Sequence, residues 1–195
     1  MNVTFDHVST DAPQILTFYF KTEQPLRYTA GQFIELTIPH DKPDSRGIKR
    51  WFTLSSSPTQ SLVAITTKFA VENGSSYKLA LHNLKPGTQL TVSDPMGDFV
   101  LPKLIQTPLV FVAGGIGITP FVSMLQWLID TGETRPIKMM LGVRTENEIV
   151  FEDLYDKAKQ HVTIVVSDSS PSWGASGVRS QPRWCLVWSS QLMIA

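Results

Sequence analysis

The sequence predicts two domains, an N-terminal antiparallel β-barrel followed by a partial α/β domain with a parallel sheet. Three observations predict this division. The first hundred residues hold short segments rich in β-branched and aromatic residues, separated by turn residues. From Leu109 onward, strands alternate with helices. Residues 101–107, bracketed by Pro102 and Pro108, form the expected linker, so we place the domains at residues 1–104 and 105–195.

The barrel is expected to contain five or six strands and one helix. Glycine, proline and aspartate cluster between the strand segments, and closely spaced strands of this kind favour an antiparallel barrel. A serine, an apolar face at helical spacing and a closing Pro-Gly predict a helix at residues 75–84. The expected strands lie at residues 15–20, 33–39, 50–54, 62–69 and 89–93.

The second domain is expected to alternate three strands with two helices. Such alternation implies parallel strands joined by right-handed crossovers. After about residue 170 the sequence has no clean period, so we expect the domain to be incomplete there. The strands are predicted at residues 109–113, 137–143 and 162–167, and the helices at 119–129 and 146–160.

The stretch at residues 109–129 carries no charged residue and is long enough to cross a bilayer. Its centre contains three glycines and Pro120, which would break helical hydrogen bonds that hydrocarbon cannot replace. We therefore interpret the stretch as a buried strand, a tight turn and a helix.

The composition excludes several classes of function. Lys+Arg 17 balances Asp+Glu 17, which gives no electrostatic reason to expect nucleic acid or membrane as a partner. The single cysteine excludes an internal disulfide and a cysteine-ligated iron–sulfur cluster. The four histidines lack ligand spacing, so we expect no metal site. With no signal-like segment at the start, these features favour a reducing, cytoplasmic location.

The segment RWFTLSSSP places an arginine and an aromatic residue on the same side of one strand. Arg50 can hold a diphosphate through its planar donors, and Phe52 offers an apolar plate to a flat ring. Thr53 can form a hydrogen bond to such a ring, and Trp51 lies between the two. The alternative is a half-buried strand with an arginine at its rim.

The segment ENGSSYKLAL begins a helix with small and hydroxyl residues. Unpaired backbone N–H groups at a helix start attract anions, so Gly74, Ser75 and Ser76 are candidates for a phosphate site. A serine that only caps the helix is the alternative.

The turn AGGIGITP joins a buried strand to a helix. Gly114, Gly115 and Gly117 would let the phosphates of a dinucleotide approach the backbone closely. The spacing departs from the Rossmann fingerprint, so the turn alone is a weak signal.

These three segments, in this order and with PMGDF at residues 95–99, resemble the ferredoxin–NADP reductase family over roughly residues 5–170. The resemblance implies a barrel that binds FAD, with FMN as the lesser alternative. It implies that Arg50 and Ser75-Ser76 bind the pyrophosphate and that Phe52 and Thr53 meet the isoalloxazine. Phe52 stands where a tyrosine is more usual. The backbone around Ile65 to Lys68 would line the rest of the cofactor, with Ile65, Thr67 and Lys68 as its named candidates.

The resemblance also assigns the second domain to NADPH or NADH. The turn with Gly114, Gly115, Gly117 and Pro120 would hold the dinucleotide, and Arg144 would approach its adenosine half. Thr53 and Thr119 would lie where nicotinamide and flavin meet and are the candidate catalytic residues. The implied reaction passes hydride from NAD(P)H to flavin and electrons on to a carrier, such as a ferredoxin-like protein, or to a small acceptor.

The chain departs from the family near its C-terminal part. Members usually carry a Cys-Gly-Pro-like turn beside the nicotinamide, whereas Leu186-Val187 follow Cys185 here. A truncated or frame-shifted gene product would explain this difference. Two alternatives stay open beside the enzyme: a flavin- or nucleotide-binding module without efficient turnover, and a fragment whose α/β half has an unpaired edge strand.

Overall fold

The protein is described here by a computed structural model that covers residues 1–69, 74–158, 161–168, 178–180 and 191–194. The described residues form a six-stranded antiparallel sheet and a five-stranded sheet flanked by helices. The predicted class, a barrel followed by an α/β domain, is confirmed.

The first sheet has the strand order β4-β3-β6-β1-β2-β5, and all of its paired strands are antiparallel. A bridge between Leu54 and Ile65 joins the two outermost strands, so the sheet curls into a barrel. The seven-residue helix α1 (Ser76–His82) packs against it through Tyr77 and Leu81. The strands are β1 (Asn2–Ala12), β2 (Ile15–Thr22), β3 (Phe33–Thr37), β4 (Lys49–Thr53), β5 (Val63–Lys68) and β6 (Gln89–Val92).

The barrel interior is aliphatic and aromatic. Phe5 contacts Phe18 and Phe20 with ring centroids 6.1 and 5.8 Å apart, and all three side chains are buried. Full burial of one such side chain stabilises the fold by about 1.5–3 kcal/mol. The strand segments predicted in the barrel supply most of this core, and β1, which was not predicted, supplies Val3 and Phe5.

The second sheet has the order β10-β9-β8-β7-β11. Strands β7, β8 and β9 are parallel, as predicted, and β11 extends them in parallel beside β7, whereas β10 runs antiparallel to β9. Strand β7 therefore has a partner on both sides. The strands are β7 (Leu109–Gly114), β8 (Ile137–Val143), β9 (His161–Val166), β10 (Val178–Ser180) and β11 (Gln191–Ile194).

Two helices cover one face of this sheet, α2 (Thr119–Thr131) and α3 (Glu152–Lys157). The uncharged stretch forms a strand, a 3-10 turn at Gly115–Ile118 and α2, as interpreted from the sequence. The helix predicted at 146–160 is broken: a 3-10 turn at Glu146–Glu148 precedes α3, and Phe151 between them has a φ of 63°. In the described residues, no helix is both long and apolar enough to cross a membrane.

The two domains contact each other directly. Ala12, Ile15 and Ala30 of the barrel join the core cluster of the α/β domain. The Ser123 hydroxyl of α2 donates to the Ser56 carbonyl across the interface at 2.5 Å. Gly31 lies so close to α2 that a Cβ there would approach Met124 Cε within 2.5 Å. These contacts fix the cleft between the domains, where the candidate site lies.

Candidate functional site

A cavity of about 410 Å³ lies where β4, β5, α1 and the turn after β7 meet. It is the place where the structure brings together residues from all three segments singled out in the sequence. Arg50 and Ser75, at the start of α1, lie on the same side of the barrel, because both line this cavity. The lining residues are Arg46, Arg50, Trp51, Phe52, Thr53, Thr66, Thr67, Ser75, Tyr77, Lys78, Ile116, Gly117 and Thr119.

One wall of the cavity is aromatic. Phe52 and Tyr77 stack with centroids 6.0 Å apart and planes 30° apart. The buried Tyr77 donates its hydroxyl hydrogen to the Leu36 carbonyl at 2.8 Å, and burial raises the pKa of Tyr77, so it remains a neutral donor. The sequence placed Phe52 in this wall but missed Tyr77.

The Arg50 guanidinium is held in place before any ligand arrives. It lies 4.9 Å from the centre of the Tyr77 ring, a cation–π contact. Its Nη1 donates to the carbonyls of Arg46 and Gly47 at 2.8 and 3.1 Å, and its Nη2 donates to Asp44 Oδ1 at 3.2 Å. A restrained guanidinium loses less entropy when it binds an anion.

The loop that holds Arg50 is itself ordered by Asp44. The backbone N–H of Arg46, followed by the charges of Arg46 and Arg50, lowers the pKa of the Asp44 carboxyl. Asp44 therefore stays ionised and keeps both arginines beside the cavity.

The hydroxyl groups at the start of α1 already have protein partners. Ser75 Oγ accepts from the Lys78 backbone N–H at 3.2 Å, which is an N-cap. Ser76 Oγ accepts from the Asp44 backbone N–H at 2.9 Å and contacts His40 Nε2 at 3.1 Å. Ser76 thus ties the Asp44 loop to α1, and of the two serines only Ser75 lines the cavity.

Positive charge accumulates around the start of α1. Arg46, Arg50 and Lys78 line the cavity, and Asp44 is paired with both arginines. Burial and, secondarily, the charge of Arg46 lower the pKa of Lys78. An anion bound here would pair with the Lys78 ammonium group and raise the Lys78 pKa, which opposes the effects of burial and of the Arg46 charge. The residues present therefore fit a phosphate or diphosphate group.

Two further cavities adjoin the first along α1. One, of about 680 Å³, shares Arg46, Ser75 and Lys78 with it. It extends between the domains to Arg144, Glu148 and Asp168. The other, of about 640 Å³, is largely apolar and is lined by Gln14, Leu16, Phe69, Gly74, Lys78, Leu79 and His82. All three cavities share Lys78, so together they form a space beside the cations Arg46, Arg50 and Lys78.

The remaining predicted residues are distributed over this space. Thr53 and Thr119, from different domains, meet in the first cavity, and the Thr119 hydroxyl donates to the Ile116 carbonyl at 3.2 Å. Gly117 lines the cavity, whereas Gly114, Gly115 and Pro120 shape the turn behind it. Ile65 is fully buried in the barrel core, so only its backbone could contact a ligand.

Lys68 and Arg144 line the cavity between the domains and not the first one. Lys68 pairs with Glu148 at 2.6 Å, a contact that joins β5 to the α/β domain. Arg46 and Lys78 were not predicted from the sequence because no motif marks them, whereas Thr66 lies within the backbone stretch at 65–68 that the resemblance assigns to the cofactor. The spacing of Lys78 three residues after the capping Ser75 was the available signal.

The predicted departure from the family at Cys185 lies outside the described residues.

Comparison with known proteins gives consistent matches. Residues 111–182 match the family described as the oxidoreductase NAD-binding domain. The glycine betaine monooxygenase reductase subunit of Chromohalobacter salexigens is 29% identical over 152 residues, which covers 77% of this chain and 40% of that protein. The chain spans less than half of the length of this and the next curated relatives it matches.

Solved structures share the fold. The flavohem-like FAD/NAD-binding domain of nitric oxide dioxygenase from Vibrio cholerae aligns with a TM-score of 0.78 and 16% identity, covering 99% of this chain and 85% of that one. The ferredoxin–NADP+ reductase of Plasmodium falciparum, solved with 2′-phospho-AMP, aligns with a TM-score of 0.74 and 17% identity, covering 86% and 74%. Both the barrel and the α/β domain are therefore found in the same order elsewhere.

Proposed function

We propose that this chain, which belongs to the ferredoxin–NADP reductase-like flavoprotein oxidoreductases, binds FAD in its barrel and passes reducing equivalents from NAD(P)H through that flavin to an electron acceptor. When bound, the flavin would supply the redox chemistry, and the protein would position it and set its surroundings. The observation that carries the proposal is the meeting of Arg50, the cations beside α1 and the Phe52–Tyr77 wall in a single cavity.

Arg50, Arg46 and Lys78 would hold the diphosphate, together with backbone N–H groups near Ser75. The flat ring would lie in the cavity with Phe52 and Tyr77 at one wall and Thr53, Thr66 and Thr67 around it. The Trp51 indole, which is 55% exposed at the cavity, would shield the outer part of the ring from water.

The adjoining apolar cavity favours FAD over FMN. FMN ends at one phosphate, whereas FAD continues through a second phosphate to an adenosine. Phe69, Leu79 and His82 offer an aromatic and apolar bed next to Lys78, where that adenosine would be placed.

The cavity between the domains would receive the nicotinamide dinucleotide. Gly117 and Thr119 bring the turn after β7 against the flavin cavity, while Arg144 lies further out between the domains. This order would place the nicotinamide beside the flavin and the adenosine half near Arg144. Hydride transfer needs this close approach of donor and ring and no acid or base.

The acceptor is proposed from the relatives. A similar protein is named as the reductase subunit of a monooxygenase, which suggests that electrons leave this chain for a protein partner. A ferredoxin-like carrier is the finer form of this proposal. The comparisons lend no support to a binding module without turnover.

The test begins with the purified chain. It should be yellow or should turn yellow with added FAD, and the replacement Arg50→Ala should weaken FAD binding by about 2 kcal/mol, roughly 30-fold in Kd. The matched control is Arg27→Ala, since Arg27 is an exposed arginine away from the three cavities. A colourless protein that ignores FAD would reject the site.

The second measurement is reduction of the bound FAD by NADH and by NADPH under anaerobic conditions, followed by absorbance. Bleaching of the flavin by either donor supports the proposed function. FAD that stays oxidised with both donors would contradict it.

A further inference from the structure

A row of hydroxyl groups connects the wall of the flavin cavity with a carboxylate near the protein surface. Thr66, in the cavity wall, has its Oγ1 2.8 Å from Ser55 Oγ and 2.6 Å from Thr17 Oγ1. Thr17 Oγ1 lies 2.5 Å from Asp11 Oδ2. Ser55, Thr17 and Thr66 are buried, whereas Asp11 is partly exposed to solvent.

The backbone of β1 is shaped to bring Asp11 to this row. The pairing of β1 with β2 shifts register between Thr10 and Ala12, which leaves Asp11 as the extra residue of a β-bulge. Bulges redirect side chains and are common beside functional sites. Here the bulge coincides with the carboxylate that accepts from Thr17, and Ser9 donates to the other carboxylate oxygen at 3.2 Å.

Each hydroxyl in the row carries one hydrogen, and this fixes how the row can be oriented. When Asp11 is ionised, Thr17 must donate to it and Thr66 must donate to Thr17. When Asp11 carries a proton, these two bonds can reverse, and the Thr66 hydrogen is then free to point to Ser55 Oγ, the direction in which that 2.8 Å bond is formed. Switching between the two orientations moves one proton along the whole row, and no atom has to travel further than a hydrogen bond.

We propose that this row is a proton path, with Asp11 as the acceptor that delivers protons from the flavin cavity to water. The inference rests on the proposed function, because a two-electron donation as hydride followed by one-electron departures leaves a proton in the cavity. That proton binds at Thr66 Oγ1 in the cavity wall, the original Thr66 hydrogen passes to Thr17, and the Thr17 hydrogen passes to the Asp11 carboxylate. Asp11 then releases its proton to solvent, so one proton leaves the cavity and no electron moves along the row.

The properties of Asp11 suit this task better than those of a structural carboxylate. Its oxygens accept only from the hydroxyls of Ser9 and Thr17 among the contacts of the described residues, so no cation locks it in the ionised form. Burial raises the pKa of Asp11, which eases its transient protonation. Asp6 on the same strand is the contrast, since Lys21 and His7 pair with it and lower its pKa.

The test uses FAD-loaded protein whose flavin has been reduced and is then reoxidised by ferricyanide, a one-electron acceptor. Asp11→Asn, which lies outside the cavity lining, should bind FAD with an unchanged absorbance spectrum but should slow proton-coupled reoxidation by about 100-fold, the low end for loss of a positioned proton-transfer group. Thr66→Val, in the cavity wall, should slow reoxidation similarly in the protein that binds FAD. The matched controls are Asp6→Asn, a carboxylate on β1 outside the row, and Thr17→Ser, which keeps the hydroxyl. Both controls should reoxidise at the wild-type rate.

A spectroscopic readout separates a proton path from a merely structural role. Time-resolved infrared difference spectra after flash oxidation should show a carboxylic acid band that appears and decays, shifts in D2O and is absent in Asp11→Asn. A missing band, or an Asp11→Asn rate equal to that of the wild type in a protein that binds FAD, would overturn the path alone. A protein that binds no FAD would overturn the proposed function first.

Discussion

The barrel and the α/β domain differ in how completely they enclose what they bury. The barrel sheet is closed by the Leu54–Ile65 bridge, and its core is shielded on all sides by strands and α1. In the α/β domain, α2 and α3 cover one face of the sheet, and the opposite face leaves Met140 and Val165 45% and 38% exposed. In the described residues, the core of the barrel is therefore enclosed more completely than the core of the α/β domain.

The same difference runs through the candidate site. Among the described residues that line the first cavity, most belong to the barrel, and Ile116, Gly117 and Thr119 come from the α/β domain. The barrel therefore builds most of this cavity, and the turn after β7 closes one side of it.

The largest effects are expected from substitutions in the two hydrophobic cores. Phe18→Ala in the barrel and Phe111→Ala in the α/β domain each remove a fully buried ring, and each should destabilise its own domain by about 3–5 kcal/mol. Because the two rings belong to separate core clusters, Phe111→Ala should leave FAD binding to the barrel largely intact.

Urea unfolding followed by FAD absorbance and by far-UV circular dichroism provides the measurement. If each variant shifts the FAD absorbance and the circular dichroism to the same extent, the two domains unfold as a single unit. The expected difference between the domains would then be wrong.

The next largest effect is expected where the domains touch at Gly31. Gly31 has a φ of +104°, and a Cβ there would overlap with the carbonyl oxygen of Phe99. Gly31→Ala should therefore lower the free energy of unfolding by about 3 kcal/mol, a value that combines backbone strain with displacement of the interface.

Gly87→Ala is the matched control, since Gly87 has a φ of +89° and no atom within 4 Å of an added Cβ. It should cost only the backbone strain, about 1 kcal/mol. Equal losses for the two variants, measured by thermal unfolding, would mean that the close contacts of Gly31 with Phe99 and Met124 contribute nothing.

A smaller effect is expected from the hydrogen bond between the domains. Ser123→Ala removes the donor to the Ser56 carbonyl and should cost about 1 kcal/mol, because that carbonyl keeps one further donor, the Tyr28 hydroxyl at 3.0 Å. Ser61→Ala, at an exposed serine, is the control and should change the free energy of unfolding by less than about 0.5 kcal/mol. A Ser123→Ala protein as stable as the control would remove this bond from the account of the interface.

The smallest effect should come from the open face of the second sheet. Met140→Lys should change the free energy of unfolding by less than about 0.5 kcal/mol, since its side chain is exposed. Met139→Lys, one residue earlier on the covered face and 1% exposed, should cost about 3 kcal/mol or more. A large decrease in the free energy of unfolding for Met140→Lys, measured by chemical denaturation, would show that this face of the sheet is covered.

Much of the fold was predictable because its strongest signals are local. Turn residues and apolar periodicity located most strands of the barrel and the β7–α2 unit. Strand β1 was missed because two register shifts, at Phe5/His7 and Thr10/Ala12, destroy the period of two that identifies a half-buried strand. The helix predicted at 146–160 was too long. The helical conformation is interrupted before α3, where Val150 is buried and Phe151 has a positive φ.

The candidate site was predictable only in part, for a related reason. Arg50, Phe52 and Thr53 follow one another on a strand, so their alternation could be read directly. Arg46, Tyr77 and Lys78 reach the same cavity from a loop and a helix, and their meeting depends on how the barrel closes. The hydroxyl row that ends at Asp11 joins three separate strands and leaves no pattern in the sequence.

The pairing of β7 with β11 has a consequence for the order in which the molecule assembles. The β1–β2 hairpin joins residues that are close in the chain, whereas Leu109 must wait for Gln191 to find its partner. Because closing a longer loop costs more entropy, the hairpin should form early and the β7–β11 ladder late. Until then, the backbone N–H and C=O groups on one side of β7 have no strand to pair with. The time that a newly made chain spends in this state, more than the stability of the complete sheet, should determine how readily such chains associate with one another.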